Sequence, residues 1–445
     1  MRISVIGTGY VGLVTGVCLA EKGFQVLCVD SAADKIAQIQ TGVPPIHERG
    51  LEELLRRNLG GRLQATTNLR EAVLGSELSL IAVGTPSVDG GIDLRFIQEV
   101  SQQVGTALRD KPGYHVVVVK STVVPGTTEE VVLPILERAS GKKAGTDFGV
   151  GMNPEFLTEG EAVEDFLYPD RIVLGGIDAR TLEWMRELYA GFAGVERVET
   201  NPKTAEMIKY ASNALLATLI SFSNEIGNLG AALGGIDIVD VMKGVHLSKY
   251  LSPTLADGTR ILPPITAFLW AGCGFGGSCL PKDVKALITH GKRAGMPMPL
   301  LEAVIQVNEQ QPRQVISLLK RSYPSLQGVR VAILGLAFRP DTDDMRESPA
   351  IPIIRALLAE KAELQAYDPA AKQEAAKLFP NGQVRLCDAL AQAIERAQAI
   401  VVVTRWEEFR QLPELLRRLQ PQPLLIDARR MLDKSSIARY EGIGL

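Results

Sequence analysis

The first thirty residues constrain the fold more than any other stretch of this 445-residue chain. Residues 2–6 are a short apolar run with strand character. Gly7-Thr8-Gly9-Tyr10-Val11-Gly12 follows, then an apolar helical stretch over residues 13–22. A second strand-like run, residues 25–29, ends at Asp30. Strand, glycine turn, helix, strand and acid in this order describe the opening βαβ unit of a dinucleotide-binding domain. Gly7, Gly9 and Gly12 permit a tight turn and let a pyrophosphate approach the helix start, with Tyr10 and Val11 beside it. Free N–H groups and the helix dipole favour an anion there. Asp30 can accept hydrogen bonds from a ribose, and its charge repels a 2′-phosphate, so NAD is expected over NADP. Lys35 either reaches the cofactor or stands as a solvated helix lysine.

Further buried strands are expected over residues 78–83, 116–120, 148–152 and 171–174. Ligands in open parallel sheets lie outside the carboxyl ends of strands. Thr85, in Gly84-Thr85-Pro86, and Thr122, in Ser121-Thr122, therefore face the cofactor or cap their turns. Asn153-Pro154-Glu155-Phe156-Leu157-Thr158-Glu159-Gly160 brings two carboxylates four residues apart. Residues 202–233 read as one long helix, on which Lys209 and Asn213 share a face. Its small residues suit a domain linker or a dimer surface. Residues 329–334 open a second strand–turn–helix pattern at Gly335-Leu336-Ala337-Phe338, whose incomplete glycine set argues against a second dinucleotide. The expected fold is α/β: two Rossmann-like domains with parallel sheets, joined by a long central helix and a helical middle domain. The expected limits are 1–198, 199–318 and 319–445.

Cys273-Gly274-Phe275-Gly276-Gly277-Ser278-Cys279-Leu280-Pro281-Lys282-Asp283 is the most unusual stretch. Proline is favoured in the first turn of a helix, so Cys279 is expected just before a helix N-terminus. The dipole and the free N–H groups there favour thiolate, the nucleophilic form. The glycines would let a substrate come close to the backbone. A buried structural cysteine beside a turn is the alternative.

Composition narrows the function classes. A net charge of −3 gives no basic field for nucleic acid. Five cysteines form no disulfide framework and point to a reducing cytoplasm. No apolar run is long enough to cross a bilayer, so no membrane partner is expected. No metal site is expected either.

Taken together, the chain resembles the UDP-glucose and GDP-mannose 6-dehydrogenase family, which oxidises the 6-alcohol of a nucleotide sugar to a carboxylate. The resemblance runs nearly end to end. It is carried by the glycine turn, Gly84-Thr85-Pro86, Ser121-Thr122, the Asn153–Gly160 segment, Lys209 with Asn213, the loop ending at Cys279, Lys282-Asp283 and Arg346-Glu347-Ser348-Pro349. It implies two hydride transfers to NAD at one site, with a thiohemiacetal and then a thioester on Cys279. It implies that Lys209 stabilises developing negative charge, with Asn213 beside it. Asp283 would hold water and orient the lysine, and Glu155 would serve as general base. Thr122, Thr85, Glu159 and Arg346 match cofactor-contacting positions.

Glu155, Phe156, Leu157, Lys209, Asn213, Phe275, Gly276, Phe338 and Arg339 match the substrate site. Arg430 resembles a residue near the nucleotide phosphates. Arg260 matches an arginine that reaches a neighbouring subunit, and a homodimer is implied. UDP-glucose is the expected substrate, with GDP-mannose or a UDP-N-acetylhexosamine as alternatives. The segment before the glycine loop lacks the lysine common in UDP-glucose enzymes, and Cys279-Leu280-Pro281-Lys282-Asp283 is similar to the GDP-mannose branch. A reading of another class is a two-electron hydroxyacid dehydrogenase, which would need neither Cys279 nor a second Rossmann-like unit.

Overall fold

The structure, a computed structural model, describes residues 1–445. They divide into two compact units, Met1–Ser212 and Asn213–Leu445.

The first unit is built on an eight-stranded sheet. Its strands are β1 (Arg2–Ile6), β2 (Gln25–Val29), β3 (Leu63–Thr66), β4 (Leu78–Ile81), β5 (His115–Val119), β6 (Phe148–Met152), β7 (Arg171–Gly176) and β8 (Glu196–Thr200). The spatial order is β8-β7-β6-β5-β4-β1-β2-β3. Strands β4, β5 and β6 are buried along their whole length, as strands covered on both faces must be. The pairings from β3 through β6 are parallel. The β6–β7 junction is antiparallel, so the sheet is mixed at that side. Helix α1 (Tyr10–Glu21) crosses from β1 to β2 and buries Leu13, Val14, Val17 and Leu19. The order turns around at β1, which lies between β2 and β4. That turning point is where a doubly wound sheet opens a crevice for ligands.

Helix α2 runs over Pro202–Leu233, the limits expected from the sequence. Its first turns belong to the first unit and the rest to the second. The second unit adds α3 (Ile238–His246), α4 (Leu280–Arg293) and α5 (Pro299–Ser322). It carries a six-stranded sheet of β9 (Arg330–Leu334), β10 (Glu363–Tyr367), β11 (Arg385–Leu386), β12 (Ala399–Val402), β13 (Leu424–Asp427) and β14 (Tyr440–Gly442). The order is β11-β10-β9-β12-β13-β14, and every pairing is parallel. Helix α6 (Ala350–Ala359) follows the turn after β9. No helix is long and apolar enough to cross a membrane.

Candidate active site

The three glycines after β1 have different duties. Gly7 has φ +101°, and a Cβ there would lie 2.6 Å from the Ala82 carbonyl oxygen. A Cβ on Gly12 would fall 1.9 Å from the Gly7 oxygen. Both are required by the protein's own packing. A Cβ on Gly9, the N-cap of α1, would meet nothing within 4 Å. The middle glycine thus leaves a cradle at a helix start, shaped for a phosphate group. Asp30, at the end of β2, accepts from the Thr8 N–H at 2.9 Å, the Thr8 hydroxyl at 2.8 Å and the Ala32 N–H at 3.0 Å. Lys35 lies 3.9 Å from it. Burial opposes its charge, but these donors and Lys35 together hold the carboxyl below its ordinary range. The Thr85 hydroxyl donates to the Thr122 carbonyl at 2.9 Å, which ties the loops after β4 and β5 together.

A second cluster lies at the end of β6. Glu155 and Lys209 form a buried ion pair at 3.0 Å. Glu155 also accepts from the Leu157 N–H at 2.7 Å. Burial works against its charge, yet Lys209, that N–H and nearby Lys120 keep the carboxyl below its usual range. Removing one partner of such a pair strands a buried charge, at about 3–5 kcal/mol. The Phe156 ring receives Lys209 at 5.5 Å and the Arg171 guanidinium at 3.9 Å. Leu157 and Glu159 are half-buried on the same loop.

Two carboxylates missed by the sequence reading shape these loops. Buried Glu48 accepts from the Tyr10 hydroxyl and from the N–H groups of Gly160 at 2.8 Å and Ala162 at 3.1 Å. Tyr10 of the glycine turn is thereby linked to the Glu155–Glu159 loop. Glu206, one turn before Lys209, accepts from the N–H groups of Gly126 and Thr128 and from the Thr128 hydroxyl. Burial pushes its carboxyl up to about 7 against those donors. Nothing in the sequence marks either residue, because their donors are backbone groups far away along the chain.

In the second unit, Cys279 is the N-cap of α4, with Pro281 in the first turn, as the sequence suggested. Of the five cysteines, none in a disulfide, it alone is not buried. Burial pushes the thiols of Cys18 and Cys28 up to about 12 and raises those of Cys273 and Cys387. Asp283, in the first turn of α4, is 1% exposed. It accepts from the Asn213 amide at 2.6 Å and the Lys282 ammonium at 2.6 Å.

Two glycines of this loop are also required by the chain's own packing. A Cβ on Gly276 would lie 2.3 Å from the Glu347 oxygen, and one on Gly277 would lie 2.7 Å from the Phe338 ring. The Gly277 N–H donates to the Arg346 carbonyl at 2.9 Å. Asn308 clamps Phe275 by both of its backbone groups, at 2.8 and 3.0 Å. The Arg346 side chain forks onto Asp344.

Arg339 is half-buried just after Phe338. Arg260 is exposed in a turn bridged from Thr254. The Arg430 guanidinium binds both Asp237 oxygens at 2.8 and 2.9 Å, the Ile443 carbonyl and the Tyr440 hydroxyl. These bonds brace Arg430 within the second unit.

Comparison with known proteins connects these features. Residues 1–193 match the NAD binding domain of the UDP-glucose/GDP-mannose dehydrogenase family, residues 203–310 its central domain and residues 332–434 its UDP binding domain. The chain belongs to this dehydrogenase family. It is 41% identical to the UDP-glucose 6-dehydrogenase AglM of Haloferax volcanii, with 100% of both chains covered. It is 38% identical to a GDP-mannose 6-dehydrogenase of Pseudomonas putida, again over 100% of each. A UDP-glucose dehydrogenase structure from Pyrobaculum islandicum superposes with a TM-score of 0.90 at 37% identity, covering 100% of this chain and 97% of that one.

The protein is thus an NAD-dependent nucleotide-sugar 6-dehydrogenase. The residues present fit NAD. The open cradle at Gly9 suits the pyrophosphate, and Asp30 keeps an incompletely buried carboxylate for a ribose.

Proposed function

We propose that this dehydrogenase oxidises the 6-alcohol of UDP-glucose to the carboxylate of UDP-glucuronate, with Cys279 as the covalent carrier. The observation that carries the reading is that the one thiol not buried caps the start of α4, one helical turn before buried Asp283. The helix start favours its thiolate.

Bound NAD+ supplies a hydride acceptor, once for each of the two oxidations. In the first, the C6–H bond gives up a hydride and the hydroxyl a proton, leaving an aldehyde. The Cys279 thiolate then adds to the aldehyde carbon, and the oxygen takes a proton. The resulting thiohemiacetal again holds a hydride next to a hydroxyl. Loss of both leaves a thioester. Water attacks this carbon, Glu155 takes its proton, and the Cys279 thiolate departs from the sugar acid. Lys209 supplies the cation for negative charge on the sugar oxygen, and Asn213 with Asp283 hold water and hydrogen-bond donors in place.

We assign cofactor contacts to Gly7, Gly9, Tyr10, Val11, Gly12, Asp30, Lys35, Thr85, Thr122, Glu159 and Arg346. Sugar-nucleotide contacts fall to Phe156, Leu157, Phe275, Gly276, Phe338 and Arg339. The domain limits 1–198, 199–318 and 319–445 are part of this reading. So is a homodimer: Leu215, Phe222, Leu229 and Leu233 form an exposed apolar stripe on one face of α2, the kind of surface a second copy would cover. In such a dimer exposed Arg260 is the residue that reaches the neighbour's sugar. Five cysteines outside any disulfide favour a reducing compartment, the cytoplasm.

The test is a panel of nucleotide sugars with NAD+, following NADH per sugar consumed. UDP-glucose is expected to turn over best and to yield two NADH. Preference for GDP-mannose or a UDP-N-acetylhexosamine would change the substrate. A yield of one NADH would remove the four-electron reading.

A further inference from the structure

The Asn153–Gly160 loop conceals a buried cation that the mechanism does not use. Lys120 follows directly after β5, and only 3% of it is exposed. Its ammonium donates to the Asn153 side-chain oxygen at 2.9 Å. The Tyr189 hydroxyl donates to the same oxygen, and the Asn153 amide donates to the Val173 carbonyl at 2.9 Å. Asn153 is therefore fixed from three sides, and it begins the loop that carries Glu155. The Phe166 ring covers the ammonium at 5.9 Å. The charges that act on Lys120 are Glu155, from the loop after β6, and Lys209, from α2.

We propose that Lys120 is a positioning residue for the hydrolytic step, pinning Asn153 and setting a second cation behind the Glu155–Lys209 pair. Burying an amine this deeply is unfavourable unless its charge is used. Here burial pulls the ammonium down to about 8, with Glu155 opposing that and Lys209 adding to it. Through the mildly acidic range Lys120 thus stays cationic. The cluster then holds two ammonium groups and one carboxylate, a net positive environment in which Glu155 stays ionised and able to take a proton from water. The proposal rests on the reading of Glu155 as the hydrolytic base.

The experiment measures sugar-acid release against pH, with UDP-glucose and NAD+, for the wild type, K120M, K120Q, K120R and E155Q. Thermal midpoints are recorded for each. K120Q keeps a hydrogen-bond donor towards Asn153 and loses only the charge, so it carries the test if K120M folds poorly. In K120M and K120Q the acid limb is expected to move up by about 1 pH unit, because a nearby cation has been removed from a carboxylate. Release at the foot of the limb would then fall about tenfold, with KM values within about twofold. K120R is expected to restore the wild-type limb. An unmoved limb in both neutral variants, with E155Q inactive in hydrolysis, overturns the proposal and leaves the base assignment standing. Wild-type acid release by E155Q overturns both.

Discussion

The two Rossmann-like sheets meet the same structural problem in different ways. Each places an acid at the end of its second strand, and each acid receives backbone N–H groups from the turn after the first strand. In the first unit Asp30 takes the Thr8 and Ala32 N–H groups and the Thr8 hydroxyl, and part of its carboxylate stays exposed. In the second unit Asp368 is buried and accepts from Leu336, Ala337, Ala370, Ala371 and the Trp406 indole. The first acid keeps capacity for a ligand, whereas the second is spent on its own turn. The turns differ likewise: Gly9 leaves a cradle, while Leu336 and Ala337 are fully packed. One architecture thus yields a dinucleotide site in one unit and, in the other, a turn packed on its own acid.

The largest expected effect breaks this contrast in the second unit. Asp368→Ala strips the acceptor from several buried N–H groups and should cost about 3 kcal/mol or more in stability, read from denaturant midpoints. Asp30→Ala should cost less than about 1 kcal/mol but raise the KM for NAD about tenfold. Equal behaviour of the two variants would erase the comparison. Next, Gly9→Val should leave the thermal midpoint nearly unchanged while weakening NAD binding about 100-fold, measured by calorimetry. Ala337→Gly should create no second NAD site.

The third effect is a pH dependence confined to the first unit. Glu206 titrates near 7 when folded, above the 4.5 of a free carboxyl. The folded state then binds the extra proton between these values. Its stabilising contribution is complete below the unfolded value and is lost as pH rises through 7. The loss should reach roughly 3 kcal/mol or slightly more, and the corresponding slope of denaturant midpoint with pH should vanish in Glu206→Gln. The smallest effect concerns Lys35. It is 46% exposed and 3.9 Å from Asp30, so Lys35→Ala should change the KM for NAD by only about two- to threefold.

Local pattern made the glycine turn, the Val-rich strands and the whole of α2 legible in the sequence, because each is written in neighbouring residues. Strand β8 was missed because Glu196–Thr200 is mostly exposed and charged, with no apolar run. The antiparallel β6–β7 junction depends on which strand edges meet, and periodicity is blind to that. Cys279 was legible through its glycines and proline. The packing of those glycines was not legible, since only the folded chain shows the Glu347 backbone and the Phe338 ring against them. The pairing of Arg430 with Asp237, nearly two hundred residues away, was not legible either. Glu48, Glu206 and Lys120 stayed hidden for the same reason: a buried polar side chain is explained by partners that sequence spacing does not reveal.

The most direct measurement looks for the sugar on sulfur. With Glu155→Gln slowing hydrolysis, the enzyme is turned over with UDP-glucose and NAD+, quenched in acid and digested for peptide mass spectrometry. The account predicts a sugar-nucleotide acyl adduct on Cys279, with two NADH formed for each adduct. An unmodified Cys279 peptide, with one NADH per sugar and free aldehyde in solution, would contradict it.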